Sequence, residues 1–149
     1  MKLAGVLLII LALAIGIVPQ IYECQAQGRA PLKLENGKTV PMKCHWTAEA
    51  EIAVAVPLAL VGVMTIASKR KESHQVLSIL GVTLGLFTIL LPTALIGVCM
   101  SNEMLCNSLM KPTLIFSGLV AMGISGFVLV RASLPEKRML VVPTEGAPA

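Results

Sequence analysis

Long apolar runs alternate with short polar ones four times along the chain. The runs are roughly Leu3–Ile21, Ala48–Ala67, Val76–Val98 and Thr113–Val130. Each is close to the about 20 residues a helix needs to cross a bilayer. The pattern predicts an all-α membrane protein, residues 1–149 forming one domain. Its four transmembrane helices, at about 3–21, 48–67, 76–98 and 113–130, fold as two helical hairpins. A tail over about 132–149, ending Pro-Thr-Glu-Gly-Ala-Pro-Ala, is expected to be disordered.

The polar stretches predict local structure. Leu32–Val40 alternates polar and apolar around Asn36-Gly37, which suits a type I′ turn with positive φ at both residues and Glu35 facing Lys38. A small β-hairpin in the first extracytoplasmic loop is the expected result. Thr47 reads as an N-cap of the second span, with Glu49 and Glu51 in its first turn beside the positive end of the helix dipole. Pro57 falls mid-span and is expected to kink the second helix, Pro92 is expected to kink or end the third span, and Pro112 suits the first turn of the fourth. Small residues spaced by four (Ala12 and Gly16; Gly81 and Gly85; Ser117, Ala121 and Ser125, with Gly118) offer thin helix faces. The two halves share an order of helix, proline, cysteine, loop, Met-x-Cys and helix, which is compatible with a parallel repeat.

Charge orients the spans. Lys2, Lys69, Arg70, Lys71, Arg131, Lys137 and Arg138 fall on one side, and Arg29, Lys33, Lys38, Lys43 and Lys111 on the other. The tight Lys69–Lys71 cluster places the termini in the cytoplasm by the positive-inside rule. All four cysteines then lie outside, where disulfides persist. Tyr22 and Trp46 fall at the outer interface. Lys2 followed by an apolar run resembles a signal peptide, but no small-x-small pattern precedes Cys24, so an uncleaved anchor is expected. The net charge of +4 does not indicate nucleic-acid binding, because the basic residues are scattered and aromatics are 3% of the chain.

Candidate chemistry concentrates at the cysteines. The structural reading is two disulfides, Cys24–Cys44 and Cys99–Cys106, although four cysteines allow three connectivities. Redox catalysis is the competing reading, since four spans with paired outer cysteines resemble in layout the DsbB and vitamin K epoxide reductase families. Those use Cys-x-x-Cys, whereas the spacings here are Cys24-x19-Cys44 and Cys99-x6-Cys106. A third reading is a Cu(I) or zinc site drawn from Met42, Cys44, His45, Met100, Met104, Cys106 and Met110, which are soft or borderline donors. His45 and Glu49 are one helical turn apart, and His74 is expected to be solvated in an inner loop over Ser68–Gln75. No charge lies deep in a span, which argues against an ion pathway through this chain alone. The sequence holds no nucleotide loop, catalytic triad or acid–base carboxylate pair.

Met42-Lys43-Cys44-His45-Trp46-Thr47, followed by Cys99-Met100 and Met104-x-Cys106-Asn107, resembles an uncharacterised prokaryotic membrane family, domain of unknown function 4418. The resemblance spans nearly the whole chain. It implies the four-span fold without an activity, and its association with ABC transporter components implies an accessory subunit. The expected role is non-enzymatic, with no cofactor and with other membrane-protein subunits as partners; extracytoplasmic thiol redox or Cu(I)/Zn binding is the alternative. The orientation has a direct check: Ser73→Cys should resist a membrane-impermeant thiol reagent in intact cells, and efficient labelling there inverts the topology.

Overall fold

The computed structural model describes residues 2–23, 28, 32–33, 35–98 and 105–134. Four helices dominate: α1 (Lys2–Tyr22), α2 (Lys43–Ala67), α3 (Lys71–Leu90) and α4 (Lys111–Ser133). With the wider turns that extend α3 and precede α4, all four are long and apolar enough to cross a membrane. Their outward faces carry Leu3, Ile10, Leu13, Ile17, Val56, Leu60, Phe116, Leu119 and Phe127, all exposed. Water does not tolerate so continuous an apolar surface, whereas a bilayer is its solvent. The chain is a multi-pass membrane protein.

Lipid gives helices no hydrophobic reason to associate, so close packing supplies the attraction. Here α1 packs along α2 and α3 along α4, and the hairpins touch each other less extensively. Each hairpin has a reciprocal glycine crossing. A Cβ on Gly5 would meet Gly62 O at 2.7 Å, and one on Gly62 would meet Gly5 O at 2.9 Å. A Cβ on Gly85 would meet Gly118 O at 3.0 Å, and one on Gly118 would meet Gly85 O at 2.8 Å. The backbones therefore approach within a distance that no side chain permits. The remaining core is one cluster running through Leu8, Ala12, Ile15, Ala55, Leu58, Val61, Leu114 and Ala121.

Hydroxyl groups inside the helices look after themselves. Thr65, Ser78 and Thr88 donate to Val61 O, His74 O and Leu84 O at 2.7, 2.6 and 3.1 Å. Such bonds back to the preceding turn let a polar side chain sit in a membrane helix without a partner helix. The exception is Ser125, whose buried Oγ has no partner among the described residues and lies against Gly81.

Pro92 and Pro112 shape the helices as expected, with one refinement. Pro92 has no N–H to give, and α3 widens over Leu91–Leu95 into a π-turn rather than stopping. Ile96 and Gly97 then both donate to Leu91 O at 3.1 Å. Gly97 has φ +79°, a left-handed conformation that favours glycine. A second π-turn, Cys106–Met110, leads into α4, where Pro112 occupies the first turn. Pro19 and Pro57 both lie inside helices that continue past them.

Three expectations are corrected. The β-hairpin shrinks to two-residue strands, β1 (Leu32–Lys33) and β2 (Thr39–Val40), paired antiparallel with Leu32 opposite Val40. Only Gly37 has positive φ (+70°) and Asn36 does not, so the connection is a longer loop with one left-handed residue rather than a type I′ turn. Glu35 and Lys38 both fall inside that loop, and no ion pair joins them. Second, α2 starts at Lys43, after Pro41 and an extended Met42, so Thr47 lies in its second turn and neither glutamate is in the first. Third, the basic connection is only Ser68–Arg70, and His74 is buried within α3, its Nδ1 unpartnered among the described residues. The chain beyond Leu134 lies outside the described residues.

The crossings carry a prediction. Gly118→Ala forces its methyl against Gly85 O and should lower stability by about 1–3 kcal/mol. Gly123→Ala meets nothing within 4 Å and should leave thermal unfolding in detergent unchanged or raise it slightly. Equal effects would refute the crossing.

Candidate functional site

The cysteine end of the bundle brings most of the chemistry-bearing residues together. Cys44 lies in the first turn of α2 and Cys106 opens the turn before α4, and both are fully buried. Met110 is buried with them, and Met42 and Tyr22 pack against the same core. The Cys106 thiol donates to Tyr22 O at 3.3 Å, tying α4's entry to the end of α1. Cys24, Cys99, Met100 and Met104 lie outside the described residues, and with them one member of each expected disulfide. No disulfide joins Cys44 to Cys106. Among the described residues, no three His, Cys, Asp or Glu side chains converge as metal ligands.

Two polar contacts close this end. His45 does not turn to Glu49; its Nδ1–H donates to Glu23 Oε2 at 2.8 Å, joining the start of α2 to the residue after α1. The sequence reading missed Glu23, which sits outside every periodic segment. Thr47 Oγ1 donates to Gly97 O at 2.8 Å, with a longer 3.3 Å approach to Lys43 O. The Thr47–Gly97 bond is long-range and crosses between the hairpins, from α2 to the segment after α3's π-turn. It uses the carbonyl exposed by Gly97's left-handed backbone.

Below these contacts lies the residue that the sequence reading placed wrongly. Because α2 begins at Lys43, Glu51 sits in its third turn, about 12 Å along the axis. It is completely buried, and neither carboxylate oxygen has a hydrogen-bond partner among the described residues. Its spacing held the signal: Cys44, Glu51, Ala55 and Leu58 share one buried face. Gln20 on α1 is similar, its buried Nε2 also without a partner. A Cβ on Gly16 would touch the Ala55 methyl at 3.3 Å, so Gln20 and Glu51 each lie one turn beyond that contact, level with one another.

A family model described as "Domain of unknown function (DUF4418)" matches residues 3–130. The chain belongs to this family. The resemblance carried by Met42–Thr47 and Cys99–Asn107 is therefore confirmed, and the matched DUF4418 segment contains the whole cysteine end. No curated protein and no solved structure matches the chain.

Thr47→Val keeps the shape of the side chain and removes its donor. It should cost about 1 kcal/mol, and more if Gly97 O is left dry. A chemical-denaturation midpoint equal to that of the native chain would contradict a bond between the hairpins at this point.

Proposed function

We propose that this DUF4418 protein is a non-enzymatic accessory or structural subunit of a larger membrane complex, such as an ABC transporter. Its termini are cytoplasmic, and its cysteine end forms an extracytoplasmic cap held by disulfides and the short loop strands. The observation that carries the reading is on α4. The small residues named as contact faces are spent inside the chain, since Ala12, Gly81, Gly85, Ser117, Gly118, Ala121 and Ser125 are buried or packed against a neighbouring helix. Gly123 and Gly126 are not: a Cβ on either meets nothing within 4 Å. They stand on an outward face with Phe116, Leu119 and Phe127, all more than half exposed. A glycine in a helix facing lipid costs helix propensity without return, whereas against a partner helix it admits close approach.

The test is co-purification in mild detergent. Gly123→Leu and Gly126→Leu should each strip the associated membrane subunits while leaving the chain folded. Recovery of the same subunits with the native chain and both variants would defeat the reading.

A second reading keeps the sulfur chemistry. Cys44, Cys106 and Met110 share one buried cluster, a donor set suited to Cu(I). Metal analysis of the purified native chain against Cys106→Ser separates it from the structural role, which is indifferent to copper.

A further inference from the structure

We propose that Glu51 binds one small cation, a proton or a sodium-class ion, inside the bundle at the cysteine end. This site is independent of the accessory role. The carboxylate is 0% exposed in a membrane-spanning helix, with both oxygens unpartnered among the described residues. An ionised carboxylate is not stable in that position alone, since burial strips its hydration and no described residue replaces it. Intramembrane carboxyls that persist in such places hold something.

Among the described residues, no charged or titratable group supplies the partner. Among the described residues, those of this end are Tyr22 and Glu23 at and after the end of α1, Lys33, Glu35 and Lys38 in the loop, Lys43, Cys44, His45 and Glu49 on α2, and Cys106 and Lys111 at the entry to α4; α3 carries none between Gln75 and Val98. Glu23 is taken by His45. No partner helix reaches Glu51 either, because it faces the interior of its own bundle.

Hard oxygen donors lie at its level. Thr47 lies one turn towards the cysteine end on the same face, and its hydroxyl proton is engaged by Gly97 O, which leaves the oxygen lone pairs open. The Thr47–Gly97 bond also sets the depth of α2 against α3. One turn inward from Gly97 is the π-turn at Leu91–Leu95, so Glu51 lies level with it. There Ile96 and Gly97 bypass Pro92 O and Thr93 O, their ordinary helical acceptors, and donate to Leu91 O instead. Bypassed carbonyls at a broken membrane helix are cation ligands of the kind that transporters use. Gln20 lies at the same level; its orphaned Nε2 is an N–H donor and so not itself a ligand of the cation. Leu58, Ala121, Val61 and Leu8, all buried, fill the bundle on the side away from the cysteine end, so this is a binding site and not a path through the membrane.

The test uses dicyclohexylcarbodiimide, an apolar reagent that modifies carboxylic acids in membranes, on the full-length chain in detergent. Peptide mass spectrometry should find the adduct on Glu51. If the cation is a proton, labelling slows by about tenfold per pH unit above its midpoint, whatever the salt. If it is a sodium-class ion, sodium chloride protects and choline chloride does not. In E51Q, the pH or sodium dependence of the thermal midpoint disappears; should that variant fail to fold, the labelling of the native chain decides alone. A Glu51 that stays unlabelled, or one whose labelling rate ignores both pH and sodium, overturns the proposal.

Discussion

Backbone touching backbone is the constraint on which this bundle rests. At Gly5 with Gly62, and at Gly85 with Gly118, the carbonyl of each glycine occupies the space where the other's side chain would stand. In lipid no solvent pushes helices together, so the attraction must come from contacts close enough for dispersion and weak polar terms to add. Two such crossings define two hairpins. They also fix the depth of one helix against the next, because a shift along the axis would drive a neighbouring Ile9, Ile66, Ile89 or Met122 side chain into the gap.

The cysteine end inherits that register. With Gly16 against Ala55, Gln20 and Glu51 come level; with Thr47 bonded to Gly97, the widened turn of α3 arrives beside them. The contrast with the rest of the interior is chemical. Buried threonines and serines such as Thr65, Ser78 and Thr88 satisfy their own protons within one helix and ask nothing of their neighbours. A carboxylate has no proton of its own to give when ionised and cannot do the same. Glu51 is thus the one buried acid among the described residues, at the level where helix hydrogen bonding is broken. A protein that needed only to fold would be better served there by leucine or glutamine.

The spans could be read from the chain because membrane helices announce themselves by length and continuous apolarity. Pro92 and Pro112 were equally legible, since a missing N–H acts locally. What failed was local reasoning about positions decided by tertiary contacts. Thr47 has the chemistry of an N-cap, but Pro41 lets the helix begin earlier and Gly97 O claims the hydroxyl. That error of one turn carried Glu51 from a solvated helix end into the core. His74, beside three basic residues, looked solvated because sequence proximity hides the face on which a helical residue points. Asn36-Gly37 tolerates a tight turn, yet strands this short exert little twist to demand one. Glu23 had no pattern at all and is known only through His45.

The interhelical register is the claim that supports the rest, and cross-linking measures it most directly. Gly16→Cys with Ala55→Cys, in a chain whose four native cysteines are replaced by serine, places two Cβ atoms about 3.3 Å apart. That lies near the span a disulfide bridges. Mild oxidation should join this pair in nearly every molecule, while Gly16→Cys with Ala59→Cys, one turn deeper, should stay reduced. A disulfide in the second pair and none in the first would contradict the register, and with it the placement of Gln20 level with Glu51.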